Sequence, residues 1–531
     1  MQYLSSMRPL AWCCLLLCTP LPTLHAQQAR DWRIGDRVVI GDWTGVAAIA
    51  AGPDRVFIVS PDAVLAWGPT LHRWEGPYEP PVAHALERAT AAMIDPLDNS
   101  LWVATLEGWV HFQPDLVYWE VGAAGGRVLD FAFDLAAPMD GLHFRTPGGW
   151  FRVPRGALLP VPAGAPIRPM RPATVEQALT ANPALRGTAS TFLLDPSLRT
   201  ARLTSAARSF DNLGWYLGTD GVGALFVPDG TVVPQRLTFG LPGPVVGAIH
   251  AVPGGIWAIT DRTDHGSAGV VFLAGDLTEF RPYQGPPATG LSFTRARRLI
   301  GVGSSLWAAT DGGVFRFDAA DPSEFYRYDE DQGLPDRRVS SIASRRGVVV
   351  AATAQGLGRF LDTTEVVRIA PDYAGSALAV ALEGDTAWVG TGLGPRAAVP
   401  DMRDLVRPAS LDESAALSSP VYDLAWMADT LVGVTRDEFV WKAPGEDRWA
   451  LSAPISGVIG ALRRLVAAGD GFWVAGELGV VWSRLMGAPL RPLQVGRDLP
   501  GTPLDLAVDA EFLWVATTAG LVRFRLSEVM P

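Results

Sequence analysis

Leu306-Trp307-Ala308-Ala309-Thr310, with the Asp311-Gly312-Gly313 turn and Val314-Phe315-Arg316-Phe317 behind it, is the stretch on which the fold turns. An apolar run, Ala296 to Val302, precedes it across Gly303-Ser304-Ser305, and Phe325-Tyr326-Arg327-Tyr328 follows. Apolar and polar residues alternate in 314–317 as they do in a half-buried strand, and Gly, Asp and Ser mark the reversals. The unit therefore predicts four short antiparallel strands in about 42 residues, leaving through Gly333-Leu334-Pro335.

The same phrase recurs. It reads Leu101-Trp102-Val103-Ala104-Thr105, Ile256-Trp257-Ala258-Ile259-Thr260, Ala387-Trp388-Val389-Gly390-Thr391, Phe472-Trp473-Val474-Ala475-Gly476 and Leu513-Trp514-Val515-Ala516-Thr517. Weaker copies centre on Phe57, His143, Tyr216, Val350 and Val432. Taken as anchors, these eleven positions lie 38 to 50 residues apart, except for a step of 73 between His143 and Tyr216. A four-stranded unit of this size cannot cover both of its faces alone, so neighbours must stack. The expected fold is all-β, a β-propeller of about eleven four-stranded blade repeats in which the anchor Trp residues fill the space between sheets.

The last seven copies, Trp257 to Trp514, run without interruption and suit one ring over 241–531. The first four would form a second propeller module within 27–240. The final repeat stops after its third strand, and Arg37-Val38-Val39-Ile40 could supply the fourth, removing an exposed edge. Two packed modules are the favoured arrangement, and one large ring closed by the N-terminal strand is the alternative. The long step holds an insertion over about 160–210. There Thr174-Val175-Glu176-Gln177 reads as a capping box opening a short helix.

Asp331-Gln332-Gly333-Leu334-Pro335-Asp336, with Val339-Ser340-Ser341-Ile342 after it, resembles the repeat of the two-component regulator propeller family. Gly240-Leu241-Pro242, Leu499-Pro500-Gly501 and Thr517-Thr518-Ala519-Gly520-Leu521-Val522-Arg523-Phe524 look like the same elements. The resemblance covers nearly all of 27–531 and implies the fold. It does not imply one function, because such repeats serve both as sensory exteriors of kinases and as stand-alone exported proteins. Asp31-Trp32-Arg33 ahead of the first repeat is also similar to the double-propeller accessory proteins of type IX secretion.

Residues 1–26 read as an export signal: Arg8, the apolar run Leu10 to Cys18, Pro20 and Pro22, then Leu24-His25-Ala26 for cleavage. All three Cys lie inside it, so after cleavage neither a disulfide nor a thiolate site is expected. Lipidation at Cys18 is the less favoured reading, because Leu17 occupies a place where a small residue belongs. A periplasmic or secreted protein is expected, not an integral membrane protein. The net charge of −11, from 44 Lys+Arg against 55 Asp+Glu, argues against a nucleic-acid partner. Arg supplies all the basic charge but for Lys442, which reads as compositional bias.

No catalytic motif stands out. The histidines show no metal-ligand spacing, and neither a nucleophile elbow nor a phosphate loop is present. Asp261, Arg262, Asp264 and His265 gather two carboxylates, an Arg and a His in one lengthened loop, making it the candidate ligand site. Asp329, Glu330 and Asp331 are the candidate ligands for calcium, the only cofactor entertained. Trp109, Trp119, Trp150, Trp441 and Trp449 lie off the repeat anchor and are candidates for stacking on sugars. The function expected is that of a non-catalytic exported propeller acting as a ligand-binding or protein-interaction scaffold in the cell envelope, its partner a glycan, a peptide or another envelope protein. The alternatives are a propeller lyase or hydrolase with its site at the channel mouth, and a secretion-system accessory propeller.

Overall fold

The computed structural model describes residues 32–530, apart from 34, 83, 184–191, 195–199, 232, 264–267, 285–290, 361–365, 370–374, 385, 399–417, 447–448 and 488. The expected signal at 1–26 and Asp31 of the Asp31-Trp32-Arg33 phrase lie outside the described residues, whereas Trp32 is described and packs against Phe524. The chain folds into eleven antiparallel sheets. Blades 1 to 11 span 48–78, 89–123, 130–170, 192–237, 246–283, 296–328, 339–369, 377–398, 423–451, 462–494 and 503–525. Each blade holds one anchor, on its second strand except in blade 4, where the added strand Phe192–Leu194 makes Tyr216's strand the third. In blade 6 the strands Ala296–Val302, Ser305–Thr310, Gly313–Asp318 and Phe325–Tyr328 pair in chain order.

The Thr and Gly of the repeat have a shared mechanical role. Thr310 Oγ1 donates to the Gly313 carbonyl at 2.7 Å and accepts from the Gly312 amide at 3.1 Å, which locks the turn between the second and third strands. The same bond joins Thr353 to Gly356, Thr391 to Gly394 and Thr517 to Gly520. Gly313 has φ of +115°, and a Cβ there would meet the Tyr328 carbonyl oxygen at 2.3 Å. Only glycine satisfies both conditions.

Blades 5 to 11 form a closed circuit. The innermost strand of each packs on that of the next, and blade 11, through Pro503–Val508, packs on Val246–Val252 of blade 5. Each blade interface holds one hydrophobic cluster, and each cluster contains the anchor of the preceding blade. Trp257 lies between blades 5 and 6, Trp307 between 6 and 7, Trp473 between 10 and 11, and Trp514 between 11 and 5. These four Trp anchors are all buried. Strand β1, Arg37–Ile40, completes blade 11, with Arg37 opposite Phe524 and Ile40 opposite Leu521. The ring is therefore built from 37–40 and 246–525, and the eleven-blade ring does not form. Residues 37–40 belong to the ring, not to the N-terminal unit in which the sequence places them.

Blades 1 to 4 are inserted between β1 and blade 5. The two connecting segments run side by side, with the Leu241 amide donating to the Gly41 carbonyl at 3.0 Å. Trp43 is buried between them, and the Gly240 position, at φ +71°, leaves it room. A single cluster then joins blades 1, 4, 5 and 11. Within the insert, blade 1 packs on blades 2 and 4. Blades 2 and 3 share a cluster around Trp102, Phe133 and Phe144, but among the described residues blades 3 and 4 share none. Helix α1, Val175–Ala181, packs on the innermost long strand of blade 4 through Ala178 and Leu179. Its N-terminus is the expected capping box: the Gln177 amide donates to Thr174 Oγ1 and the Thr174 amide to Gln177 Oε1.

Candidate functional site: the arginine-rich mouth of the seven-blade ring

The site follows from repeat phase. Nine residues before each ring anchor stand Ala248, Arg298, Ser341, Ala379, Asp423, Arg464 and Asp505, one per innermost strand. The four charged ones form a buried, balanced cluster. Arg298 Nη1 lies 3.2 Å from Asp423 Oδ2 and 3.6 Å from Asp505 Oδ1. Arg464 Nε lies 3.9 Å from Asp505 Oδ1, and its Nη2 donates to the Arg297 carbonyl at 2.8 Å. Asp505 also accepts from the Ile249 amide and Asp423 from the Leu465 amide. These contacts join blade 6 to blades 9, 10 and 11, none of them its neighbour, so they cross the ring axis. Asp423 holds the Arg298 guanidinium above its ordinary pKa, while burial pushes the Asp505 carboxyl up. Buried charges at such a crossing are tolerated because they are paired and further hydrogen-bonded.

One residue earlier, the layer opens to solvent. Gly247, Arg297, Ser340, Leu378, Tyr422, Arg463 and Leu504 all line one cavity of about 830 Å³. In six of the seven blades this residue is a β-bulge, flanked by register shifts such as Ala296/Arg298 and Leu462/Arg464. A bulge places two consecutive residues opposite one, which re-aims a side chain and is common beside binding sites. Here it lets neighbours in sequence share the channel, Arg297 at the mouth and Arg298 at the plug. A further layer comes from four residues after the anchors: Asp261, Arg436, Glu477 and Thr518.

Six arginines and two acids therefore face one cavity in an acidic protein. Arg463 is paired with Glu477 at 2.5 Å. The guanidinium groups of Arg262, Arg295, Arg297 and Arg436 make no hydrogen bond or ion pair among the described residues. Partial burial and then the like charges of Arg464 and Arg295 hold Arg297 below its ordinary pKa. Asp261 is buried, accepts from the Ala296 amide at 2.7 Å and is pushed up to about 6, chiefly by that burial. A basic cup in a low-dielectric wall focuses field lines and concentrates anions.

Of the residues singled out by sequence, Asp261 and Arg262 line this mouth, whereas Asp264 and His265 lie outside the described residues. The acidic run has another job. Asp329 caps a short 3-10 helix at Glu330–Gln332 and pairs with Arg327 at 3.0 Å, while Glu330 accepts from the Arg337 amide. These oxygens are engaged in holding a turn. Among the described residues no group of three His, Cys, Asp or Glu side chains is placed to hold a metal ion. Trp109 and Trp449 are buried and unavailable for stacking on a sugar.

One constellation was invisible in the sequence. His111 Nδ1 lies 2.8 Å from Glu120 Oε2 and its Nε2 lies 2.9 Å from Ser100 Oγ, which resembles a nucleophile–base–orienter relay. Ser100 is 2% exposed and its hydroxyl also reaches Asp98 Oδ1 at 2.6 Å. No substrate can approach it, and the ring of His111 stacks on Trp102. The relay fastens blade 2. The arginine mouth was also missed, although its signal was present: Arg297 and Arg463 both stand ten residues before a Trp anchor.

Fold and site together define an all-β propeller protein whose seven-blade ring has a plugged, basic channel mouth. No family profile and no curated protein matches the chain by sequence. Several solved structures are similar. One is an extracellular domain from B. thetaiotaomicron described as part of the hybrid two-component system BT4673, at 12% identity and a TM-score of 0.42, covering 90% of this chain and 70% of that one. Another is PorZ, a surface component of the type-IX secretion system of Porphyromonas gingivalis, at 11% identity and a TM-score of 0.45, covering 93% and 73%. A third is virginiamycin B lyase of Staphylococcus aureus, at 14% identity and a TM-score of 0.44, covering 53% and 94%. Among the described residues no helix is long and apolar enough to cross a membrane.

Proposed function

We propose that this chain is an exported, non-catalytic propeller of the cell envelope that captures an anionic ligand, such as an acidic glycan or peptide, at the mouth of its seven-blade ring. The observation that carries this reading is the set of four guanidinium groups around one cavity that have no hydrogen-bond or ion-pair partner among the described residues, contributed by blades 5, 6 and 9. Arginine is suited to the task, because its planar fork donates to carboxylate, sulfate or phosphate in pairs. The plug beneath makes the mouth a blind cup, which holds a ligand and does not conduct one. The envelope setting is supported by residues 1–26, which read as an export signal.

The test is a thermal-shift screen of residues 27–531 with anionic and neutral sugars and peptides at about 150 mM salt, where weak surface attraction is largely screened. Anionic ligands should raise the melting temperature and neutral ones should not, and Arg295→Gln/Arg297→Gln should abolish the shift. Equal shifts from neutral analogues, or full binding by the double variant, would defeat the reading.

A further inference from the structure

We infer that the ligand carries two separated anionic groups, one held by Arg295 and Arg297 and the other by Arg436 across the mouth. This rests on the anion-capture reading above and sharpens it. Arg295 and Arg297 stand at the start of the innermost strand of blade 6, with Arg262 of blade 5 beside them. Arg436 lies between the second and third strands of blade 9. Blades 7 and 8 separate these two sites on one side, and blades 10, 11 and 5 on the other.

Among the described residues the wall between them is uncharged or already neutralised. Blades 7, 8 and 11 contribute Ser340, Leu378 and Leu504 at the bulge position. Arg463 is engaged by Glu477, and Arg464 is tied to the Arg297 carbonyl and to Asp505. The mouth thus has two positive poles with a neutral span, not one continuous basic rim. A single carboxylate reaches one pole and leaves the other bare. A ligand with two anionic groups satisfies both, and the second contact is intramolecular once the first is made, so it adds affinity at little further entropic cost. A cavity of about 830 Å³ has room for a disaccharide-sized molecule. Ser340, Tyr422 and Thr518 place hydroxyls along the span, where a hydroxylated linker between the acidic groups would find partners.

The experiment compares two matched pairs by calorimetry at constant ionic strength: galacturonate with digalacturonate, and hexanoate with adipate. At least one two-carboxylate probe should bind tenfold or more tightly than its one-carboxylate counterpart. Arg436→Gln should erase that gain, and Arg297→Gln should weaken both members of the pair. Arg436 is exposed, so its variant should melt as the parent does, and a melting curve checks this. The pair that shows the gain identifies the linker as sugar-like or aliphatic. No gain in either pair, or a gain that Arg436→Gln leaves intact, overturns the two-anion inference. If one-carboxylate binding is then still lost in Arg297→Gln, the anion-capture reading stands; if no probe binds at all, both fall.

Discussion

The seven-blade ring and the four-blade insert use one repeat and reach different ends. In the ring every blade has two neighbours, every interface holds a cluster around an anchor, and a charge cluster crosses the axis. In the insert, blades 3 and 4 do not meet through a shared cluster among the described residues. Each instead carries a fifth strand on its innermost edge, Pro169–Met170 in blade 3 and Phe192–Leu194 in blade 4, and α1 covers part of the gap. Blade 3 also leaves Met139, Leu159 and Ile167 exposed. The difference teaches that anchor residues make blades, whereas closure needs matched inner edges: the same grammar without a closing partner yields a wedge sealed by local additions.

That contrast can be broken at its strongest point. Arg298→Ala strands Asp423 and Asp505 without their shared cation in a buried site, and is expected to cost about 3–5 kcal/mol in denaturant unfolding. A loss below about 1 kcal/mol would mean that the plug does not hold the ring together. Leu179→Ala probes the weaker unit. Leu179 is buried between α1 and blade 4, so about 2–3 kcal/mol should be lost. Limited proteolysis should then cut the insert first, with the ring remaining intact. Equal exposure of both units would show that they unfold as one.

Asp261→Asn is the mildest change and has a defined pH signature. The folded carboxyl titrates near 6 instead of 3.8, so its burial favours the protonated form and penalises the carboxylate. Its stabilising contribution is complete below about 4 and is lost as pH rises through 6. Asn keeps an oxygen for the Ala296 amide and cannot ionise. The variant should therefore be more stable than the parent at pH 8, by about 2 kcal/mol, and no more stable at pH 4. A difference independent of pH would assign the effect to packing.

Much of the fold was legible because the repeat encodes it locally. The anchors marked second strands, the strand boundaries around Trp307 match the apolar runs, and Thr174 opened the helix that its capping box announced. The site was legible only at Asp261 and Arg262. Arg297, Arg436 and Arg463 each look like an ordinary surface residue in their own segment, and a surplus of Arg over Lys hides them further. What makes them a site is ring closure, which superimposes equal repeat phases from distant blades, and the bulge, which turns the phase toward the axis. Local patterns do not carry that information. The acidic run shows the converse: three carboxylates in a row look like metal ligands, but a turn also needs caps, and Asp329 and Glu330 serve there.

The pairing of Ile40 with Leu521 also sets the order in which the molecule can assemble. Synthesis at about 5–20 residues per second separates the two strands by a time on the order of tens of seconds, during which β1 is an open edge. Contacts so remote in sequence form late and slow the final step. The insert offers a remedy, since its own contacts are local and its stem joins Gly41 to Leu241. Once folded, it presents β1 beside blade 5, where blade 11 must arrive. The search for closure then runs over the ring alone, and the four-blade unit serves as the jig on which the larger one is built.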